Sequence, residues 1–307
     1  MLDIVAKKYW FFGLSLLIII PGLIFLIAFG LPLGLDFRGG SLLEVKFESG
    51  TAPTTEAMRG FYTEQGFQDS VVQTSGSDVL IIRSEKMADN QKVELVSAME
   101  AKFGGKITVN RYENVDPAIG SEVVRQAAGA VAAAALIIMA YIWFAFRGVP
   151  NAHRYGVSAI IAMLHDILVI VGIEAMLGKF LGWEADALFL TALLTVIGFS
   201  VHDTIVVFDR IRENAITYRK LPYATMVNHS IVQTLDRSIN TQLTVMITLL
   251  SLALLGGSTT QHFVIILLVG IFSGTYSSIF NAASILVVWE NQEWKNWFKR
   301  KTEEPAA

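Results

Sequence analysis

Residues 197–214, IGFSVHDTIVVFDRIREN, place an acid and an imidazole, Asp203 and His202, side by side in a run apolar enough to lie in hydrocarbon. A carboxyl there costs about 2.5–3.5 kcal/mol on insertion scales, so it is retained where it faces other helices and serves ion movement. Asp203 stands five residues from the end of its apolar run, roughly 8 Å of helix at 1.5 Å per residue. Arg237 opens the next apolar run from the same side, and its long side chain has the reach to meet that acid. Hydrocarbon favours the neutral acid and a neighbouring guanidinium favours the carboxylate. An arginine that approaches and leaves Asp203 would therefore move protons, and a static ion pair between two helices is the alternative reading.

Other groups extend this chemistry. His165 and Asp166 occupy the preceding run as further candidates for a proton path. Glu174 follows eight residues later on nearly the same face and is expected at the membrane interface. At 100° per residue, Ala192, Val196, Phe199 and Ser200 share a stripe with Asp203, while Thr191, Thr195 and Gly198 align with His202. Small and hydroxyl side chains in both stripes predict that both face other helices. Gly270 and Gly274 form a GxxxG, continued by Ser277, Ser278, Ala282 and Ala283, which is a helix-packing signature.

Six elements must position these groups. The 307 residues are 53% hydrophobic and 17% charged, with a mean hydropathy of +0.51, which is the composition of a membrane protein. Apolar runs over 10–29, 127–146, 157–177, 187–208, 239–255 and 263–289 are each long enough to span hydrocarbon. With the N-terminus in the cytoplasm, that side collects Lys7, Lys8, Arg147, Arg154, Arg210, Arg212, Arg219, Lys220, Arg237, Lys295, Lys299, Arg300 and Lys301. The opposite short loops hold Lys179 alone, so the charge asymmetry fixes the orientation. The first run exceeds the 7–15 residues of a signal-peptide core and reads as a retained helix.

Between the first two spans lies a polar stretch of domain size. Residues 41–47, 70–74, 78–83 and 106–112 read as strands, and 54–65 and 88–103 as helices. The order is βαββαβ, a ferredoxin-like split motif. This stretch has no histidine, and its acids are scattered, so it reads as a binding or structural domain. The expected organisation is an N-terminus and first helix over 1–30, an extracytoplasmic α+β domain over 31–126, five helices over 127–290 and a cytoplasmic tail over 291–307.

Several functions are excluded or set aside. A net charge of -3 gives no footprint for nucleic acid. The absence of cysteine removes disulfides, thiolate zinc sites and cysteine nucleophiles. No GxxxxGK[ST] and no HExxH appears. Gly198-Phe199-Ser200-Val201 lacks the glycine after serine of a nucleophile elbow. An intramembrane aspartyl protease built on Asp166 and Asp203 stays formally open.

The chain also carries LDFRGG at 35–40, VDPAIG at 115–120, His165-Asp166, GFSVHDTIVVFDRIREN at 198–214 and DRSINT at 236–241. Together these resemble the SecF family, smaller membrane subunits of the bacterial SecD–SecF accessory complex and relatives of the RND transporters. The resemblance covers essentially the whole chain. It implies an RND-type half of six transmembrane helices and proton-coupling roles for Asp203 and Arg237; His202, Asp166 and His165 are candidates for a proton path from their positions alone. Structural motif roles are implied for Asp36, Phe37, Arg38, Gly39, Gly40, Asp209 and Arg210, while helix packing for Gly198, Gly270 and Gly274 rests on the small-residue patterns above.

The same resemblance implies a heterodimer with SecD in the bacterial inner membrane, association with the SecYEG channel, often with YajC and YidC, and handling of unfolded preprotein. No enzymatic activity, cofactor or metal is expected; the proton gradient is the expected energy source, with sodium as the alternative ion. An RND-type exporter of small molecules or lipids is the rival reading. Two positions depart from the family pattern, Asp116 where it has glycine and His202 where it commonly has asparagine.

Overall fold

A computed structural model describes residues 2–149 and 151–296. The tail residues from 297 on, with Lys299, Arg300 and Lys301, lie outside the described residues. Two compact units divide the chain, one of residues 33–129 and one formed by the segments on either side.

Among the long helices, α1 (Lys8–Phe29), α5 (Pro117–Ala145, of which residues from 130 on belong to the helical unit), α6 (Ala152–Leu181), α7 (Ala187–Thr217) and α8 (Tyr223–Leu255) precede a sixth, broken rod. That rod is α9 (Ser258–Tyr276), a π-helical turn (Ser277–Ala282) and α10 (Ala283–Glu290). All six rods are long and apolar enough to cross a membrane.

The helices outrun the apolar segments that revealed them. α8 starts at Tyr223 behind Pro222, sixteen residues before the hydrophobic run, and α7 continues to Thr217. Hydropathy marks only the length in lipid, whereas backbone hydrogen bonding carries the helix on until a cap or proline ends it. Asp186 caps α7 by accepting the Phe189 N–H at 2.8 Å, and Gly182 closes α6 in the left-handed conformation.

Bundle packing rests on small residues. α1 crosses α6 where Gly22 meets Gly172, and a Cβ on either glycine would lie 2.8 Å from the other's Cα. A Cβ on Gly270 would collide with Val196, and one on Gly274 would lie 3.0 Å from the Ser200 Cβ, so the GxxxG of α9 seats α7. Gly198 has open space where a Cβ would stand. The packing role expected for it is therefore not met among the described residues, because that side of α7 turns away from the bundle.

Residues 33–129 contain α2 (Leu35–Arg38), β1 (Gly40–Phe47), α3 (Thr55–Glu64), β2 (Val71–Thr74), β3 (Val79–Ser84), α4 (Asp89–Phe103) and β4 (Ile107–Val115). The strands form one antiparallel sheet in the order β2-β3-β1-β4. Alternate residues Leu43, Val45 and Phe47 of β1 join Leu80 and Ile82 of β3 in a core closed by Met58, Phe61 and Tyr62 of α3 and Leu95 and Met99 of α4. The short α2 escaped the sequence reading because four residues carry no periodicity.

That helix explains the double glycine. Gly39 and Gly40 follow it at φ +73° and +116°, where side chains are strained. A Cβ on Gly39 would run into Pro117, and one on Gly120 would sit 2.8 Å from the Phe37 carbonyl oxygen. LDFRGG and VDPAIG are thus two halves of one close contact. Asp116 accepts the Ala118 N–H at 2.9 Å at the start of α5 and pairs with Lys86 at 2.5 Å. These partners hold its carboxyl below the usual aspartate range, the Lys86 hydrogen bond most strongly.

Candidate functional site

α7 carries Asp203 into the bundle with 3% of its surface exposed. Ser238 on α8 donates from Oγ to Asp203 Oδ1 at 2.7 Å. Asp203 Oδ2 has no hydrogen-bond partner among the described residues. Arg237, expected beside the acid, is exposed and forms no ion pair with it among the described residues; Ser238, next in sequence, makes the contact. Consecutive helix positions are 100° apart, so the serine that faces inward turns the arginine to the outer side of α8.

The two α7 stripes separate in the same way. Ala192, Val196, Ser200 and Asp203 are buried, whereas Thr191, Gly198 and His202 are exposed. The expectation that both face inward is corrected for Thr191, Gly198 and His202: α8 and α9 cover one stripe, and the other, apart from half-buried Thr195, is uncovered among the described residues. The exposed side of α8 continues the polar surface with Arg237, Asn240, Thr241, Thr244 and Thr248. The three threonines satisfy their hydroxyls on carbonyls four residues back.

Asp166 on α6 is fully buried and has four partners. Ser200 of α7 and Ser277 of the π turn each donate to Oδ2 at 2.6 Å, and Ser273 of α9 donates to Oδ1 at 2.8 Å. His165 Nδ1 lies 3.0 Å from Oδ1, and its Nε2 lies 3.0 Å from Ser15 Oγ on α1. Asn281 Nδ2 donates to the same Ser15 oxygen at 2.8 Å. One carboxyl thereby ties together α1, α6, α7, α9 and the π turn.

Both acids connect through α7. Thr204, next to Asp203, shares a 2.8 Å hydrogen bond with Ser278, and Ser278 donates to the Ser200 carbonyl at 2.9 Å. A buried polar layer therefore crosses the bundle. On α7 and on the α9 rod it separates two apolar clusters, one ending at Val201 and Ile271 and the other starting at Val207 and Ile279. π-helical turns are rare and concentrate at functional sites, and this one supplies Ser277, Ser278 and Asn281.

Glu174 is fully buried near the end of α6, and His262 of α9 meets its Oε2 at 2.9 Å. Asp209 pairs with Arg212 at 2.5 Å on the exposed side of α7, and Arg210 donates to Gln233 on α8 at 2.7 Å. Residues passed over in the sequence were Ser15, Ser238, His262 and Asn281. The serine pair Ser273 and Ser277, four apart in an apolar helix, was the available signal.

Residues 95–292 match the family model described as protein export membrane protein SecD/SecF, C-terminal, and residues 24–51 match the SecD/SecF GG motif. The protein translocase subunit SecF of Anaerolinea thermophila is 54% identical over 308 residues, covering 100% of both chains. The protein translocase subunit SecDF of Thermus thermophilus is 36% identical over 86% of this chain and 35% of its own length. A crystal structure of SecDF, a translocon-associated membrane protein from Thermus, superposes with a TM-score of 0.81 at 33% identity, over 94% of this chain and 39% of that one.

Proposed function

This chain belongs to the SecD/SecF family of protein-export membrane proteins, and from that premise we propose how it works. It is an accessory, non-catalytic subunit of Sec protein export, and its partner is SecD, with which its counterparts are joined in SecDF chains. The rival exporter reading is not favoured, since the relatives are protein translocase subunits.

The proposal is that Asp203 takes up and releases a proton and so couples the proton-motive force to preprotein movement. The observation that carries it is a buried carboxyl in a membrane helix with one oxygen bonded to Ser238 and the other bare. The bare oxygen is where a proton would add. Arg237 and His202 flank it on the exposed side, and groups of that kind are too costly to leave against lipid. The exposed polar faces of α7 and α8 are assigned to the SecD contact, which would set the distance between Arg237 and Asp203. Sodium in place of the proton would use the same carboxyl.

Asp166, held by three serines and His165, would act as a fixed acceptor in the path rather than as the moving site. Positive-inside charge supports cytoplasmic termini and a periplasmic location for residues 33–129 in the bacterial inner membrane. The strand order β2-β3-β1-β4 supports reading that unit as ferredoxin-like, a support or preprotein-handling element beside a larger partner domain. SecYEG, YajC, YidC and unfolded preprotein are assigned as further partners on the strength of the family alone.

A potential of 100 mV supplies about 2.3 kcal/mol per charge, so each cycle needs several protons or a small mechanical step. The test is Asp203→Asn in complex with SecD. Assembly should persist while potential-dependent export is lost; export at the unmutated level would overturn the coupling role.

A further inference from the structure

A second ionisable pair lies in the bundle, outside the Asp203 and Asp166 layer. Glu174 of α6 is fully buried; its Oε2 meets His262 Nε2 at 2.9 Å, and its Oε1 has no hydrogen-bond partner among the described residues. The His262 side chain is 18% exposed, and its ring lies 4.6 Å from that of Trp183. A lone carboxyl oxygen left bare away from water is costly unless another group or a proton joins it.

The position in the bundle gives the pair a direction. Glu174 lies seven residues before the end of α6, at the bundle end where α1 stops and Pro32 accepts the Ala185 N–H. Eight residues separate it from Asp166, roughly 12 Å along the helix at 1.5 Å per residue. Between them, on the same three helices, Ile170 and Val196 crowd against Gly270, where a Cβ would lie 3.0 Å from the Ile170 Cδ1 and would strike Val196. All of Ile170, Val196 and Gly270 are buried. From this end inward the α6–α7–α9 seam therefore reads titratable pair, dry apolar layer, then serine-caged Asp166.

We propose that Glu174 and His262 form a proton-loading site at the extracytoplasmic end, separated from Asp166 by a gate of Ile170, Val196 and Gly270. The assignment of direction rests on the orientation and proton coupling proposed above. A proton from water adds to the partly exposed imidazole, making it a cation. It then passes along the 2.9 Å hydrogen bond to the carboxylate, which becomes the neutral acid as the imidazole returns to neutrality. The neutral acid holds that proton on Oε2, and Oε1, without a partner among the described residues, stays open to a further donor or acceptor.

The neighbouring charged groups leave this exchange to the pair. Asp186, on α7, is engaged as the helix cap. Lys179, on α6 itself, has its ammonium 4.6 Å from the Phe29 ring centroid. Glu184 in the connecting loop is itself partnered. α1 brings no ionisable side chain beyond its first turn, and on α9 His262 is the ionisable group other than Tyr276.

Infrared difference spectra of the SecD-bound protein in lipid vesicles, recorded between neutral and acidic pH, test the site directly. A protonated-carboxyl carbonyl band should appear at acid pH, survive Asp203→Asn and Asp166→Asn, disappear in Glu174→Gln and shift in His262→Gln. Wild-type and Glu174→Gln spectra that coincide at every pH overturn the proposal. In translocating vesicles, Glu174→Gln should lose the dependence of export on external pH; dependence equal to wild type overturns the loading role. Ile170→Ala should raise passive proton entry several-fold, and unchanged entry removes the gate. A titrating Glu174 beside a fully active Asp203→Asn keeps this site and ends the Asp203 reading, whereas a silent Glu174 beside an inactive Asp203→Asn does the reverse.

Discussion

Ser238 donates to one oxygen of Asp203, at 2.7 Å, and the other oxygen has no partner among the described residues. Removing the hydroxyl takes from the acid its one donor among the described residues, an effect of about 1.5–3 kcal/mol on the carboxylate form. Ser238→Ala should therefore cut potential-dependent export about 10-fold or more, and Ser238→Thr, which keeps the hydroxyl, should restore it. Equal activity of both variants would show that the hydrogen bond is idle.

Arg237 is exposed and has no ion pair with Asp203 among the described residues, so it contributes little to the stability of this chain alone. Arg237→Gln should leave thermal unfolding of the isolated subunit within about 0.5 kcal/mol of wild type, while potential-dependent export with SecD is lost. A static ion pair predicts the opposite pattern, a destabilised subunit.

Asp166 receives three serine hydroxyls as well as His165, so its loss strands several buried donors at once. Asp166→Ala should destabilise the helical unit by about 3–5 kcal/mol, read as a fall in detergent melting temperature. Ser273→Ala should cost less, about 1.5–3 kcal/mol. A variant at Asp166 as stable as wild type would remove the clamp assigned to it.

Gly270 has no room for a methyl group because Val196 stands against it. Gly270→Ala should cost about 1–3 kcal/mol of stability, and adding Val196→Ala should recover most of it. Additive losses in the double variant would place the strain elsewhere.

Asp116 titrates below the usual aspartate value of about 3.9 because Lys86 and the Ala118 N–H favour its charged form. A depressed folded-state value means that its stabilising contribution is present above the unfolded value and is lost as pH falls through the folded one. Carbon-13 titration of the Asp116 carboxyl in the full chain should give a midpoint below about 3.9 that rises in Lys86→Ala. An unchanged midpoint would remove Lys86 as the cause.

The spans, the strand positions and the buried acid were all legible because hydropathy, alternation and one carboxyl in an apolar run are local signals. What stayed hidden was azimuth. Whether His202 or Asp203 faces inward depends on which helix covers α7, and no residue count within α7 states that. The partner of Glu174 was hidden for a related reason: His262 comes 88 positions later, and distance along the chain hides a 2.9 Å contact. Ser238 was overlooked because its neighbour Arg237 has the stronger chemistry, although one step around a helix reverses which of them meets the acid.

The turn at Ser277–Ala282 changes how the last span must be drawn. On an α-helix, positions five apart point 140° away from each other, and a wheel drawn through the whole rod would scatter Ser277, Ser278, Ala282 and Ala283 around it. With bonds to the fifth residue, Ser277 stacks over Ala282 and Ser278 over Ala283, and all four are wholly enclosed. The surplus residue is a phase correction, letting one rod present small side chains to the same neighbours on both sides of the break.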